Sequence, residues 1–184
     1  MDTEGLLFLN HLLQENIVFY YFLGALLIII KTPPLKKSYR TGLIFSSGLL
    51  ATGLLGWLLN PVFSESFTYL VPGLYFFNAL LGLAIIKKLG LLDDYWQGIP
   101  EYILALGPLV GLQMIAERLG QNNGFDLVII IAGVSGFYLA FLTIAAIKEQ
   151  LQLSEAKNEL FKSEYTLLIV MAIFSLLLMG FDLM

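Results

Sequence analysis

Two polar residues, Glu15 and Asn16, come directly before a stretch without charged residues that extends from residue 17 to residue 30. A carboxylate and an amide in an apolar segment are candidates for lining the path of an ion or polar solute, because charged groups there usually face a cavity or a partner. Asn16 is equally suited to cap a helix that begins at Ile17, with no ligand involved. His11 is four residues before Glu15 and can form a hydrogen bond with it on one helix face.

Another polar residue, Gln113, follows a glycine and a proline in a second apolar stretch, "LGPLVGLQM". Glycine also interrupts the first apolar stretch, at Gly24. Both residue types weaken a helix, and polar sites in membrane proteins often lie at such weak points. The candidates for an ion path or for partner contacts are therefore Glu15, Asn16, Gly24, Gly107, Pro108 and Gln113.

The composition excludes several kinds of chemistry. The chain contains no cysteine and only one histidine, which rules out disulfides, thiolate zinc sites, cysteine-held iron-sulfur clusters and multi-histidine metal sites on this chain. No nucleophile with an adjacent base, phosphate-binding glycine loop or dinucleotide motif occurs. We therefore predict no catalytic residue, no metal site and no cofactor on this chain, and no nucleic-acid partner.

The elements that must position these residues are predicted to be transmembrane helices. Of the 184 residues, 58% are hydrophobic and 13% are charged, and a helix needs about 20 apolar residues to cross a bilayer. Six stretches meet this requirement, near residues 6–30, 41–59, 68–86, 99–116, 126–147 and 164–181. The sequence predicts an all-α protein with a single integral membrane domain over residues 1–184, in contact with the lipid bilayer.

Six helices divide into two sets of three, which enter the membrane in opposite directions. This arrangement predicts an inverted 3+3 repeat, with halves at about residues 1–90 and 91–184. Gly24 in helix 1, and Gly107, Pro108 and Gly111 in helix 4, predict that both of these helices are broken. Helices 2 and 5 are rich in small residues, which favour close packing in lipid, and we expect them to form the central pair.

The distribution of basic residues predicts the orientation. The first, third and fifth loops hold nine of the ten basic residues: Lys31, Lys36, Lys37, Arg40, Lys87, Lys88, Lys148, Lys157 and Lys162. The opposite side holds only Arg118. Because basic loops stay in the cytoplasm, we expect a multi-pass protein of a prokaryotic inner membrane with both termini outside.

Several motifs resemble one membrane-protein family. Glu15-Asn16 followed by Phe22-Leu23-Gly24 resembles helix 1 of the RnfA/NqrE-type six-helix subunits of the Rnf/Nqr family. "GPLVGLQM" at 107–114 resembles the family's helix 4, "SGFYLAFLTIAAIKEQL" at 135–151 its helix 5, and "LLLMGF" at 176–181 its last helix. The resemblance extends over essentially the whole chain. It implies a subunit of a complex that couples electron transfer to sodium or proton translocation.

The sequence departs from this family at its metal ligands. In the family, two paralogous subunits each supply a cysteine after the Phe-Leu-Gly motif and another in helix 4, and the four thiolates hold an iron-sulfur cluster inside the membrane. The corresponding residues here are Leu26 and Met114, neither of which replaces a thiolate. The resemblance implies a paralogous six-helix partner of opposite topology, other Rnf/Nqr-like subunits, and flavin or iron-sulfur centres on those partners.

Two functions are consistent with these features. The first is a subunit of an Rnf/Nqr-like ion-translocating complex that contributes scaffold, partner contacts and an ion path, but no cluster. The alternative is a non-redox transporter or channel-type module for a cation or small solute, in which Glu15, Asn16 and Gln113 are the coordinating groups. A third interpretation, an assembly or anchoring protein without a ligand, has less support.

Overall fold

The structure is a computed structural model, which describes residues 3–21, 23–31, 35–66, 68–88, 99–123, 126–153 and 164–181. These residues form helices and turns, and no strand occurs among them. The all-α prediction is therefore confirmed for the described part of the chain.

The first predicted helix consists of three pieces. Helix α1 (Thr3–Leu9) continues into a π-helix (Asn10–Gln14), and α2 (Ala25–Lys31) follows after an interruption. Irregular turns connect the π-helix to α2 across the described residues of that interval. The prediction that helix 1 is broken is confirmed.

The other five predicted segments coincide with α3 (Leu35–Ser66), a 3-10 turn (Thr68–Leu70) that leads into α4 (Val71–Lys88), α5 (Ile99–Asn123), α6 (Asp126–Leu153) and α7 (Glu164–Phe181). The predicted break in helix 4 is wrong, because α5 passes through Pro108 without interruption. Proline removes its own N–H from the helical ladder and crowds the carbonyl one turn earlier, but α5 continues on both sides of Pro108.

Within the described ranges, two helices are long and apolar enough to cross a membrane: α3 over Leu35–Leu59 and α6 over Leu127–Leu153. Shorter apolar stretches occur in α4, over Val71–Ala84, and in α7, over Tyr165–Leu177. Membrane crossing by all six segments and the inverted relation of the two halves stay predictions.

Helices α3 and α6 form the centre of the molecule and pack against each other more extensively than any other pair. Gly42 and Gly53 of α3 lie against Phe141 and Ile130 of α6, where a Cβ atom would come within 3 Å of the facing side chain. The rings of Phe45 and Phe137 stack between the two helices, with centroids 5.1 Å apart. The predicted central packing pair is confirmed, because small residues on one helix admit large ones from the other.

Large apolar side chains also remain exposed, several of them on α4 and α7. They include Phe76, Phe77, Leu80, Ile169, Leu176 and Leu177. Contiguous apolar surface of this kind marks contact with a membrane or with another protein.

Candidate functional site

The interruption in the first segment is a defined backbone structure. The Glu15 N–H donates to the Asn10 carbonyl (2.8 Å), and the Tyr20 N–H to the Asn16 carbonyl (2.8 Å). One turn later, the Leu23 N–H donates to the carbonyl of Ile17 (3.1 Å). Since a buried peptide group without a hydrogen bond is costly, these contacts allow the non-helical backbone to lie inside the protein.

Asn16 caps this interruption with both ends of its amide. Its Oδ1 accepts hydrogen bonds from the backbone N–H groups of Val18 (2.9 Å) and Phe19 (3.4 Å). Its Nδ2 donates to the carbonyl of Leu12 (2.9 Å), and the side chain is buried. The capping interpretation is thus realised, but Asn16 caps a single turn rather than a helix that continues from Ile17.

Gly24 ends the interruption in the left-handed conformation, with φ of +82°. Its carbonyl accepts the hydrogen bond from the Ile28 N–H (2.9 Å) that begins α2. A Cβ here would lie 3.0 Å from the ring of Phe137 and 3.1 Å from that of Pro108. Conformation and space both require glycine at this position.

Helix α5 provides the surface against which the interruption packs. The ring of Pro108 contacts Gly24, and the position of the missing Gly111 side chain is filled by Leu23. Gly107 instead faces open space, with nothing within 4 Å of its Cβ position. The sequence predicted that Pro108 and Gly111 break helix 4. In the structure, these two residues instead allow the interrupted segment to pack closely against α5.

Glu15 lies beside the interruption and pairs with the only histidine. Its Oε2 is 2.8 Å from Nδ1 of His11, four residues earlier on the same face. His11 is buried and Glu15 is partly exposed. Nδ1 can carry a hydrogen in both the neutral and the protonated imidazole. The hydrogen bond from His11 to the Glu15 carboxylate is therefore possible whether or not the histidine is charged.

Gln113 belongs to a different buried cluster, between α3, α4 and α5. Its Oε1 accepts from Nδ2 of Asn78 (3.3 Å), while its Nε2 donates to the carbonyls of Leu109 (2.9 Å) and Tyr75 (3.3 Å). Gly56 of α3 leaves room for this amide, because a Cβ there would be 2.7 Å from Gln113 Oε1. The hydrogen bonds described for Gln113 and for Asn16 join them to different partners and not to each other.

Sequence analysis did not identify Asn78 as the partner of Gln113. The available signal was that both are amides within long apolar runs, where an unpaired polar group is costly. The hydrogen bond between them joins α4 to α5. The spacing of the two residues along the chain does not show that they meet.

The resemblance aligns two positions of this chain, Leu26 and Met114, with cluster ligands; Leu26 lies just after the interruption, and Met114 lies on α5. Leu26 is the second residue of α2, and its side chain is outside the described part of the structure. Met114 is 49% exposed on α5. It lines a cleft of about 640 Å³ with Tyr20, Tyr21, Ile115, Glu117, Arg118 and Leu119, which we call the Met114 cleft.

At one end of the molecule, Lys148 and Glu149 of α6 hold the ends of two other helices. Lys148 Nζ donates to the carbonyl of Ile29 in α2 (3.2 Å), and Glu149 Oε2 accepts from the N–H of Leu35, the first residue of α3 (3.1 Å). A cation near a helix C-terminus and an anion at an N-terminus both complement the helix dipole. This basic-acidic pair is part of the helix 5 motif in the sequence.

No protein-family model matches this sequence, and no curated protein matches it. The resemblance to the Rnf/Nqr subunits therefore rests on short sequence motifs alone. Among the described residues, no three His, Cys, Asp or Glu side chains cluster as metal ligands would.

Proposed function

We propose that this protein is an integral membrane subunit of an Rnf/Nqr-like ion-translocating electron-transfer complex. It supplies scaffold and partner contacts, and it lacks the cysteine ligands of the intramembrane iron-sulfur cluster. In this proposal, six transmembrane helices form an inverted 3+3 repeat, with both termini outside a prokaryotic cytoplasmic membrane.

One observation carries the proposal: two of the stretches that resemble the family pack directly against each other. Gly24 of the first motif contacts Pro108 of the second, and Leu23 fills the space beside Gly111. More than 80 residues of sequence separate these contacts. In the family, the same two stretches bear the cluster ligands, so their juxtaposition is what a common scaffold requires.

Other features support a membrane location. Helices α3 and α6 have the length and composition of transmembrane helices, and α4 and α7 expose large apolar side chains. The contacts of Lys148 and Glu149 bring Ile29 and Leu35, which flank the first basic loop in the sequence, to the same end of the molecule as the end of α6. The first and fifth loops are predicted to face the cytoplasm because of their basic residues.

The Met114 cleft is the surface at which we place the paralogous partner. It lies on the face of α5 that bears Met114, and it combines the Tyr20 and Tyr21 rings with the charged groups of Glu117 and Arg118. Aromatic residues and arginine are typical of protein interfaces. A thioether is a weak neutral ligand, so Met114 contributes contact rather than a metal bond there.

The transporter alternative has less support from the geometry. The side-chain oxygen and nitrogen of Asn16 both form hydrogen bonds that cap the interruption. The side-chain oxygen and nitrogen of Gln113 both form hydrogen bonds in the cluster with Asn78. An ion that bound the Asn16 oxygen would have to displace a hydrogen bond that caps the interruption, and one at Gln113 would share an oxygen that already accepts from Asn78. Glu15 remains the candidate of this group for an ion path, through its pair with His11.

The test is to isolate the native assembly in mild detergent through a tag on this chain, and to measure its subunits, flavin and iron. We expect a second six-helix chain together with a subunit that carries flavin or an iron-sulfur centre. Isolation without any redox partner would contradict the proposal, as would iron bound by residues of this chain.

A pair of variants tests the position of the partner. Met114→Trp fills the Met114 cleft, and Phe77→Trp enlarges a side chain on α4 that is similarly exposed, at 59%. We expect the first variant to lose the six-helix partner and the second to retain it. Equal retention by both variants would show that the partner does not bind at the cleft.

A further inference from the structure

Exposed residues of α3 form one stripe that begins with basic side chains and continues as apolar surface. Lys36 and Arg40 are both exposed and are four residues apart, so they lie next to each other on the same face of the helix. Tyr39, which is 54% exposed, lies beside them. Leu43, which is 61% exposed, extends the stripe by one more turn. The stripe therefore changes from basic to apolar within two turns of α3.

The apolar part of the stripe opens into a groove of about 510 Å³ between α3, α6 and the first segment, which we call the Leu43 groove. The apolar residues that line it include Phe8, Leu12, Leu43, Leu50, Val134 and Leu139. Two serines of the α3 wall add little polar surface. The Ser46 oxygen has less than 1 Å² of accessible area, and the Ser47 hydroxyl donates to the Ile44 carbonyl (2.7 Å). The groove is therefore suited to a hydrocarbon chain.

The basic end of the stripe lacks an anionic partner in the part of the chain that the structure describes. No carboxylate there pairs with Lys36 or Arg40. Lys148, in contrast, donates to a carbonyl of α2 (3.2 Å), and Glu149 accepts from the first N–H of α3 (3.1 Å). The excess of basic residues in cytoplasmic loops accounts for the charge of Lys36 and Arg40, but not for their alignment with the groove. This alignment indicates a ligand with an anionic end and an apolar end.

The length of the stripe matches one leaflet of a bilayer. Arg40 and Leu50 are ten residues apart, which is about 15 Å along an α-helix and half of the roughly 30 Å hydrocarbon thickness. With Arg40 at the level of the headgroups, the α3 wall of the groove ends near the middle of the membrane. An acyl chain of one leaflet has this length, whereas a transmembrane helix would require a groove about twice as long.

We propose that the stripe and the Leu43 groove bind one anionic phospholipid. Its phosphate lies between Lys36 and Arg40 at the level of Tyr39, and one of its acyl chains fills the groove. Basic clusters on the cytoplasmic side and aromatic residues at headgroup depth are features that recognise such lipids. The inference rests on the membrane insertion proposed above. The groove shares no lining residue with the Met114 cleft, so the lipid leaves the proposed partner surface free.

The first test is photo-crosslinking in the native assembly in mild detergent, with a phosphatidylglycerol that carries a diazirine in the middle of one acyl chain. We expect the label on the peptides that line the groove, residues 43–50 of α3 and 134–139 of α6, and we expect unlabelled phosphatidylglycerol to displace it. Phe76, Phe77 and Leu80 on the exposed apolar face of α4 are the control for contact with bulk lipid. Label on that face should not be displaced.

The second test measures the concentration of this photoactivatable lipid that half-saturates the groove label. The double variant Lys36→Gln and Arg40→Gln removes the basic end of the stripe. Lys87→Gln with Lys88→Gln is the control, since it removes the same charge from the third loop, on the same predicted side of the membrane. We expect the first double variant to raise the half-saturating concentration about 30-fold, the ratio that corresponds to about 2 kcal/mol for two basic groups. The control should leave it unchanged, and a matching phosphatidylcholine should bind the unaltered protein more weakly than phosphatidylglycerol does.

Three results would overturn the inference: displaceable label spread equally over the groove and α4, equal half-saturation by phosphatidylglycerol and phosphatidylcholine, or equal effects of the two double variants. Each of these leaves the proposed function standing, provided the redox subunits are still isolated with the chain. Recovery of the chain outside the membrane fraction would instead refute the membrane insertion on which both proposals depend.

Discussion

The first segment of the chain contains no proline and is interrupted between Gln14 and Ala25, whereas α5 contains Pro108 and continues from Ile99 to Asn123. In α5, the proline removes a single hydrogen bond and the helix tolerates the loss. In the first segment, several backbone groups leave the helical pattern at once, and Asn16 supplies replacements for three of them. A proline by itself therefore does not break a helix in this fold. The break occurs where Asn16 satisfies the freed backbone groups and Gly24 adopts the left-handed conformation.

The strongest test of this comparison substitutes alanine for one glycine of each segment. Gly24→Ala places a Cβ in the left-handed region and against Phe137 and Pro108, which we expect to cost about 2–4 kcal/mol of folding free energy. Gly107→Ala is the matched control, since its Cβ enters open space within a helix, and it should be neutral or stabilise by up to about 1 kcal/mol. Thermal unfolding in detergent measures both. Similar midpoints for the two variants would refute the role assigned to Gly24.

The second test removes the side chain that caps the interruption. Asn16→Ala leaves two buried N–H groups and one carbonyl without their partner, and we expect a loss of about 2–3 kcal/mol. Asn16→Ser retains a hydroxyl oxygen as an acceptor and should recover part of that loss. If Asn16 instead served mainly as an ion ligand, the alanine variant would lose ion translocation while keeping its unfolding midpoint.

A smaller effect is expected where α2 ends and α3 begins. Glu149→Leu removes the carboxylate that accepts the Leu35 N–H, which should cost about 1 kcal/mol. Glu149→Gln keeps an acceptor oxygen without the charge and should cost about half as much. Gln150→Leu is the control, because Gln150 is exposed on the same helix. Unfolding midpoints that do not distinguish Glu149→Leu from Gln150→Leu would contradict this assignment.

The prediction with the smallest expected effect concerns Leu26 and Met114, the two positions at which the family that this sequence resembles has cysteine. The double variant Leu26→Cys and Met114→Cys places one thiol in α2 and one in α5. Expressed alone, this chain should still bind no iron-sulfur cluster, because a four-thiolate site needs two more ligands from a partner. Absorption spectra and iron analysis after anaerobic reconstitution measure the outcome, and a stable two-iron spectrum from this chain by itself would contradict the prediction.

The sequence predicted much of the fold because its signals are local. Five of the six apolar stretches coincide with helices in the described residues, the first stretch is helical at both ends, and the small residues of α3 and α6 predicted the central pair. The sequence also predicted two alternative roles for Asn16, lining an ion path or capping a helix. The structure shows a capping contact. The break predicted in α5 is wrong, because the helix-weakening tendency of Gly107, Pro108 and Gly111 does not depend on what these residues contact.

Length, apolar content, the absence of cysteine and the order of the motifs are properties that the sequence alone determined, since each depends only on residue type and on neighbours along the chain. Tertiary structure decided that Gly24 must be glycine, that Pro108 and Gly111 receive the broken segment, and that Gln113 pairs with Asn78. These outcomes depend on distances between residues that are far apart in sequence. The contacts that close such distances form only when the helices pack together.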